Sequence, residues 1–118
     1  MEGPELEDVI ATLIEVGALD DGRFAKRFAE DKRELRAWGS ERITEALRAR
    51  GVEEGLIEEA LAGESGEAAV GRAVEVLARN GSEVADKASR ARALSLLARR
   101  GYPLEVAYDA VRAFERKG

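Results

Sequence analysis

The chain nearly repeats itself fifty residues apart, and that echo limits what it can fold into. Leu47-Arg48-Ala49-Arg50-Gly51-Val52 is matched by Leu97-Ala98-Arg99-Arg100-Gly101-Tyr102, and further on Ala60-Leu61 falls on Ala110-Val111. Each copy reads as a basic helix, a glycine stop, an apolar residue and a further helix. A helical unit repeated at this period predicts a stacked array, not a closed pocket. Such an array offers a long surface, which suits a binding protein better than an enzyme.

Apolar spacing predicts seven helices. The first spans about Glu5 to Val16, with Leu6, Val9, Ile10 and Leu13 on one face, and Gly17 ends it. The second spans about Asp21 to Ala37, capped by Asp20 or Asp21 and anchored by Phe24, Phe28 and Leu35. Gly39 breaks it, and Ser40 is the natural cap of a third helix, Glu41 to Arg50, with Ile43, Ala46 and Leu47 inward. Gly51 fits the left-handed position after that helix. The fourth covers about Glu53 to Ala62, with Leu56, Ile57, Ala60 and Leu61 inward. Beyond a connector at Gly63–Gly66, the fifth covers about Glu67 to Arg79, stopped by Asn80-Gly81. Ser82 is the expected cap of the sixth, about Val84 to Arg100, whose early turns are weakly apolar and whose anchors are Leu94, Leu96 and Leu97. Gly101 closes it, and Pro103 opens the seventh, which carries Val106, Ala110, Val111 and Phe114 inward. No alternating β-branched run predicts a strand. The expected class is therefore all-α: one orphan helix and two three-helix repeats in an elongated right-handed or solenoid-like array. The divisions fall at 1–18, 19–63 and 64–118, the first being the last helix of an incomplete repeat.

The residue inventory removes most chemistry. The chain has no cysteine and no histidine, so disulfides, thiolate metal sites and the commonest proton shuttle are absent. No serine-nucleophile motif, phosphate loop or metal-ligand spacing accompanies the many carboxylates. No enzyme activity, cofactor or metal is expected. No apolar run approaches the roughly 20 residues that span a bilayer, and the acidic start lacks the basic region of a secretory signal. The expectation is a cytoplasmic monomer. The net charge of −5 hides a banded distribution. Residues 1–21 carry seven acids and no base, 23–50 nine bases against five acids, 51–64 five acids and no base, and 72–100 seven bases against three acids.

The bands nominate a surface. On a helical wheel, Lys26 and Arg33 point away from Phe24 and Phe28, Arg48 away from Ile43 and Leu47, and Arg92 and Arg99 away from Leu96 and Leu97. Together with Arg36 and Arg42 they are candidates for contact with phosphates or with acidic side chains of a partner. The plainer reading is a solvated face with pairs one turn apart. Trp38, at a helix end, is either a partner anchor or the packing of a corner between two helices. Asp20-Asp21 invites a metal reading, but Gly22-Arg23-Phe24 supplies no further oxygen ligand, so capping is the expected role. Phe24, Phe28, Ile43, Leu47, Gly51, Leu97 and Gly101 are read as structural, and Tyr102, the counterpart of Val52, as a hydrophobic cap contact. The helix–Gly51–helix unit is not a DNA-reading helix-turn-helix, because its second helix would carry Glu53, Glu54, Glu58 and Glu59 to the groove.

Three stretches carry a family resemblance: Gly17-Ala18-Leu19-Asp20-Asp21-Gly22-Arg23-Phe24-Ala25, Gly39-Ser40-Glu41-Arg42-Ile43 and Leu47-Arg48-Ala49-Arg50-Gly51-Val52. In this order and spacing they resemble the RecX family of bacterial recombination regulators, and Arg99-Arg100-Gly101-Tyr102-Pro103-Leu104-Glu105-Val106 looks like the end of that family's third repeat. The resemblance implies tandem three-helix repeats and a partner, the RecA filament on single-stranded DNA, with DNA contacted within the filament. It also implies a regulator without chemistry of its own, one that inhibits RecA's filament growth, ATP hydrolysis, strand exchange and SOS co-protease activity. Family members carry two further helices ahead of this start, and without them part of the Leu6/Val9/Ile10/Leu13 face is expected to lose its cover, at about 25 cal/mol per Å² exposed. The acidic total also departs from many basic relatives. A generic helical-repeat interaction module with a different protein partner is the alternative reading.

Overall fold

A computed structural model describes the backbone of residues 4–117 and the side chains of residues 8–116. The described residues are all helical apart from connecting turns. They form α1 (Pro4–Arg36), α2 (Ser40–Ala49), α3 (Glu54–Leu61), α4 (Gly66–Arg79), α5 (Lys87–Arg99) and α6 (Leu104–Lys117). The all-α expectation holds, with six helices where seven were expected. The first two merge because Gly17 keeps helical backbone instead of turning left-handed. A glycine inside a helix costs about 1 kcal/mol relative to alanine, less than a helix loses by breaking its hydrogen-bond ladder. Asp20 and Asp21 consequently lie mid-helix and cap nothing; Asp20 makes only a loose 4.0 Å ion pair with Arg23.

The first half of α1 stands clear of the rest. Val9, Ile10, Leu13, Ile14, Val16 and Leu19 are half to two-thirds exposed; Leu6, expected beside them, lies outside the described side chains. The second half packs closely against α3, with α2 alongside. The face it buries is not the expected aromatic stripe. Ala25 and Ala29 are fully buried, Phe28 nearly so, whereas Phe24 is 41% and Leu35 78% exposed. Each residue advances about 100° round a helix. Burying the Ala25–Ala29 side therefore swings Phe24 and Leu35 toward solvent, with the Phe24 ring 5.7 Å from that of Phe28. Small side chains win this face because they let α1 and α3 approach through Ala25, Ala29 and Ala60.

The same design recurs in the bundle of α4, α5 and α6. There α4 packs on α6 through Ala73, Ala107 and Ala110, with Val76, Leu77, Ala93, Leu97, Tyr102 and Val111 completing the core. The fifty-residue echo maps core onto core: Leu47 and Leu97 are fully buried, and Val52 and Tyr102 nearly so. Its glycines end helices. Gly51 and Gly101 have φ of +80° and +93°. In each case the glycine N–H and the next residue's N–H bond back to α2 or α5 carbonyls, Val52 to Leu47 at 3.1 Å and Tyr102 to Leu97 at 3.0 Å. Ala37 takes the same left-handed backbone (φ +54°) without being glycine, at a cost of about 1–2 kcal/mol.

The bundles meet end to end. Gly39 N–H donates to the Arg100 carbonyl at 2.8 Å and Glu41 N–H to the Gly101 carbonyl at 2.9 Å. Two donors left over at the start of α2 are thus satisfied by the end of α5. This is why Gly39, not the expected Ser40, occupies the cap position of α2 without a side-chain cap. A β-carbon on Gly39 would collide with the Gly101 carbonyl, and one on Gly101 with the Arg42 backbone. The Tyr102 hydroxyl donates to the Ala37 carbonyl at 2.7 Å, holding the left-handed turn in place. The other expected serine cap is also displaced: Asp86, not Ser82, caps α5. Its carboxylate accepts from Ser89 N–H at 2.8 Å, and Ser89 Oγ accepts from Asp86 N–H at 3.0 Å. The result is elongated, 72 × 20 × 19 Å, with a radius of gyration of 19.1 Å. A compact domain of this length would have about 13 Å.

Gly17→Ala tests the continuous helix. With helical backbone and nothing within 4 Å of an added β-carbon, the substitution is expected to raise far-UV helicity and stabilise α1 by about 1 kcal/mol; a loss of helicity would show a left-handed break there. Tyr102 supplies a pH test. Burial pushes its phenol up from 10.0 to about 12. The folded state keeps a proton that the unfolded chain releases, so this contribution is full below pH 10 and lost as pH rises through 12. Denaturant melts are expected to lose about 2–3 kcal/mol over that window. Tyr102→Phe removes the loss and costs about 1 kcal/mol at neutral pH.

Candidate nucleoprotein interface

Arg33 is not on the surface. It is 7% exposed, its Nη2 donates to the Leu61 carbonyl at 3.3 Å, and its Nε lies 3.5 Å from Glu64 Oε1. The other Glu64 oxygen accepts from Arg72 Nε at 3.0 Å and Nη2 at 2.8 Å, while Arg72 Nη1 donates to the Arg33 carbonyl at 2.6 Å. One carboxylate in the connector after α3 therefore binds a guanidinium from each bundle. The wheel expectation for Arg33 fails for the reason that Phe24 and Leu35 are exposed: the Ala25–Ala29 side, which carries Arg33, is the buried one. Arg72 was missed, although Glu64 is the sole charged residue between Ala62 and Gly66 and so marks a connector that needs a cation.

The aromatic side of the bundle of α1, α2 and α3 gathers the free cations. Phe28 and Trp38 meet edge to face at 6.3 Å in the corner between α1 and α2, which is the packing role for Trp38. Arg42 lies 4.4 Å over the Trp38 ring and Arg50 4.8 Å over Phe28. Lys32 Nζ is 4.8 Å from Trp38 and 5.3 Å from Phe28. Among the described residues no carboxylate pairs with Lys32, Arg42 or Arg50. Each ring face attracts a cation by about 0.5–1 kcal/mol at an exposed site. It also fixes the guanidinium plane, leaving the N–H edges for an outside acceptor. Lys32 and Arg50 escaped the sequence reading. The available signal was Lys32 one turn from Phe28 and Arg50 just past the end of α2.

The remaining candidates divide. Arg48 is exposed but bound to Glu54, which lowers the Glu54 carboxyl and raises the guanidinium through their mutual hydrogen bond. Arg112 and Arg90 are likewise taken, by Asp109 and by Glu115. Arg92 and Arg99 are exposed and line one broad groove of about 830 Å³ with Asn80, Ser82 and Asp86. Arg36 lines a smaller groove with Arg79 and Arg100 where the bundles meet. Lys26 is exposed and lines a groove with Leu19, Arg23, Leu56 and Glu59, away from the cation–aromatic cluster. Among the described residues no cluster of carboxylates could hold a metal, and no helix is long and apolar enough to cross a membrane.

The buried triad is expected to matter for stability and Arg48–Glu54 is not. Glu64→Gln leaves two guanidiniums without their counter-charge and should cost about 3 kcal/mol in urea unfolding. Glu54→Gln should leave the midpoint unchanged.

Comparison with known proteins agrees with this architecture. Residues 20–61 match the family model described as RecX, second three-helix domain. The chain is 36% identical to the regulatory protein RecX of Thermus thermophilus over 97% of its own length and 73% of the relative's. It is 36% identical to the regulatory protein RecX of Deinococcus radiodurans over 94% of this chain and 53% of that one. With the Halorhodospira halophila regulatory protein RecX the identity is 39%, over 89% and 63%. No solved structure matches the chain significantly. At this identity and coverage, the chain belongs to the RecX family of regulatory proteins.

Proposed function

We propose that this protein binds the RecA filament on single-stranded DNA in the cytoplasm and inhibits RecA, lowering its recombinase, ATPase and SOS co-protease activities. The observation that carries the reading beyond the family is the cation–aromatic cluster. Lys32, Arg42 and Arg50 are held on ring faces with no carboxylate paired to them among the described residues, on the bundle whose sequence matches the family model. Fixed cations of this kind suit a nucleoprotein, which offers both phosphates and acidic side chains. The repeats at 19–63 and 64–118 act together in this reading: backbone bonds join them end to end, and with the projecting half of α1 the chain extends 72 Å, long enough to touch more than one subunit of a helical filament. Its acidic α3 does not enter a DNA groove. The contact is with the assembled filament, with single-stranded DNA reached inside it.

Addition of a several-fold molar excess of this protein to RecA on single-stranded DNA is expected to slow ATP hydrolysis. Raising the salt should weaken the effect steeply. Arg42→Glu combined with Arg50→Glu should abolish it without unfolding the protein, while Arg48→Ala should not. An unchanged hydrolysis rate with the wild-type protein would sink the proposal.

A further inference from the structure

Three helices end around one small groove. The last turns of α1 and α4 contribute Arg36 and Arg79, the turn after α5 contributes Arg100, and Ala37, Val76 and Asn80 complete a space of about 250 Å³. The groove exists only where the bundles meet, since α1 belongs to one and α4 and α5 to the other.

Arginines at helix ends ordinarily serve the unpaired carbonyls and the negative end of the dipole. At the ends of α4 and α5, three of the last four carbonyls already have donors. Val76, Leu77 and Ala78 accept from Asn80, Ser82 and Gly81, and Leu96, Leu97 and Ala98 from Arg100, Tyr102 and Gly101. The Arg33 carbonyl accepts from Ala37 N–H and from Arg72, and the Arg100 carbonyl from Gly39. Arg36, Arg79 and Arg100 make no ion pair among the described residues. Arg36 and Arg79 are exposed and Arg100 half-buried. Three arginines thus line one cavity, none of them held by an ion pair among the described residues.

The walls say which anion fits. Val76 and Ala37 give the lining apolar surface, Val76 buried, and Leu35 adds an aliphatic side chain that is 78% exposed. No aromatic ring lines the groove, so nothing there stacks a base, as sites for single-stranded nucleic acid do. At this volume the groove takes one side chain, not a run of phosphates. We propose that the inter-bundle groove is a docking site for an acidic segment of a partner protein. One aspartate or glutamate carboxylate enters between Arg36, Arg79 and Arg100, and an adjacent aliphatic residue lies on Leu35. The groove takes such a segment whichever protein carries it, and contact with both walls locks the two bundles together.

The test uses the full chain and needs neither RecA nor DNA. A fluorescein-labelled peptide of alternating leucine and glutamate is titrated with the protein and followed by fluorescence anisotropy. Binding is expected, and the same peptide with glutamine for glutamate should not bind. Arg36→Gln and Arg79→Gln keep the aliphatic stems and should each weaken binding about tenfold, with melting temperatures unchanged; Arg92→Gln should bind as wild type. The proposal is overturned if the wild-type protein ignores the peptide, if the glutamine peptide binds equally, or if Arg36→Gln and Arg79→Gln bind normally. Displacement of the peptide by oligothymidylate, lost on the same substitutions, would assign the groove to nucleic acid instead.

Discussion

The end of α5 lies against the start of α2 at backbone distance, and this contact sets the relation of everything else. It needs two glycines, because a β-carbon on Gly39 or Gly101 would collide with the other bundle. In return it satisfies N–H groups at the start of α2 that would otherwise be unpaired. The Glu64 carboxylate reinforces the same alignment from the other side, with one arginine from each bundle. Buried charge of this sort is poor evidence of net stability but a strong constraint on geometry: misalignment would leave ions buried without partners. The elongated shape, the junction groove and the relation between the two groups of free cations all follow from that alignment.

Much of this was legible in the residues. The fifty-residue echo located both helix-ending glycines and the paired core leucines, because left-handed turns and fully buried side chains are demands that only a few residue types meet. The family assignment rested on the same positions. The core of the bundle of α2, α3 and the second half of α1 draws on apolar residues between Ala25 and Leu61, although α1 runs on across the expected division at residue 18.

What was not legible depended on distant partners. Gly17 has the same local signature as Gly51, yet one continues a helix and the other ends it. The difference lies in the neighbours: Val52 after Gly51 is buried in the core, whereas the apolar residues around Gly17 are exposed. The inward face of α1 differs from the hydrophobic stripe because packing distance outweighs hydrophobicity there: Ala25 and Ala29 are buried while Phe24 and Leu35 are exposed. Arg33 goes with the alanines, whereas a wheel centred on Phe24 and Phe28 turns it outward. Trp38 and Arg42 stand next to each other in the structure as their closeness in sequence allows, but the ring that Arg50 covers lies on a different helix and has no signature in local sequence.

The two bundles end their helices differently, and this makes their partnership one-sided. The bundle of α4, α5 and α6 supplies its own closures: Ser65 and Asp86 cap its first two helices, and glycines terminate them. The other bundle borrows. Its α2 takes two acceptors from Arg100 and Gly101, and its strained Ala37 turn takes a donor from Tyr102. Trimming the protein from one end is therefore not equivalent to trimming it from the other. Without residues 100–102 the amino-terminal bundle is left with open backbone groups and an unsupported turn. Without residues 37–41 the carboxy-terminal bundle loses a neighbour but keeps every cap.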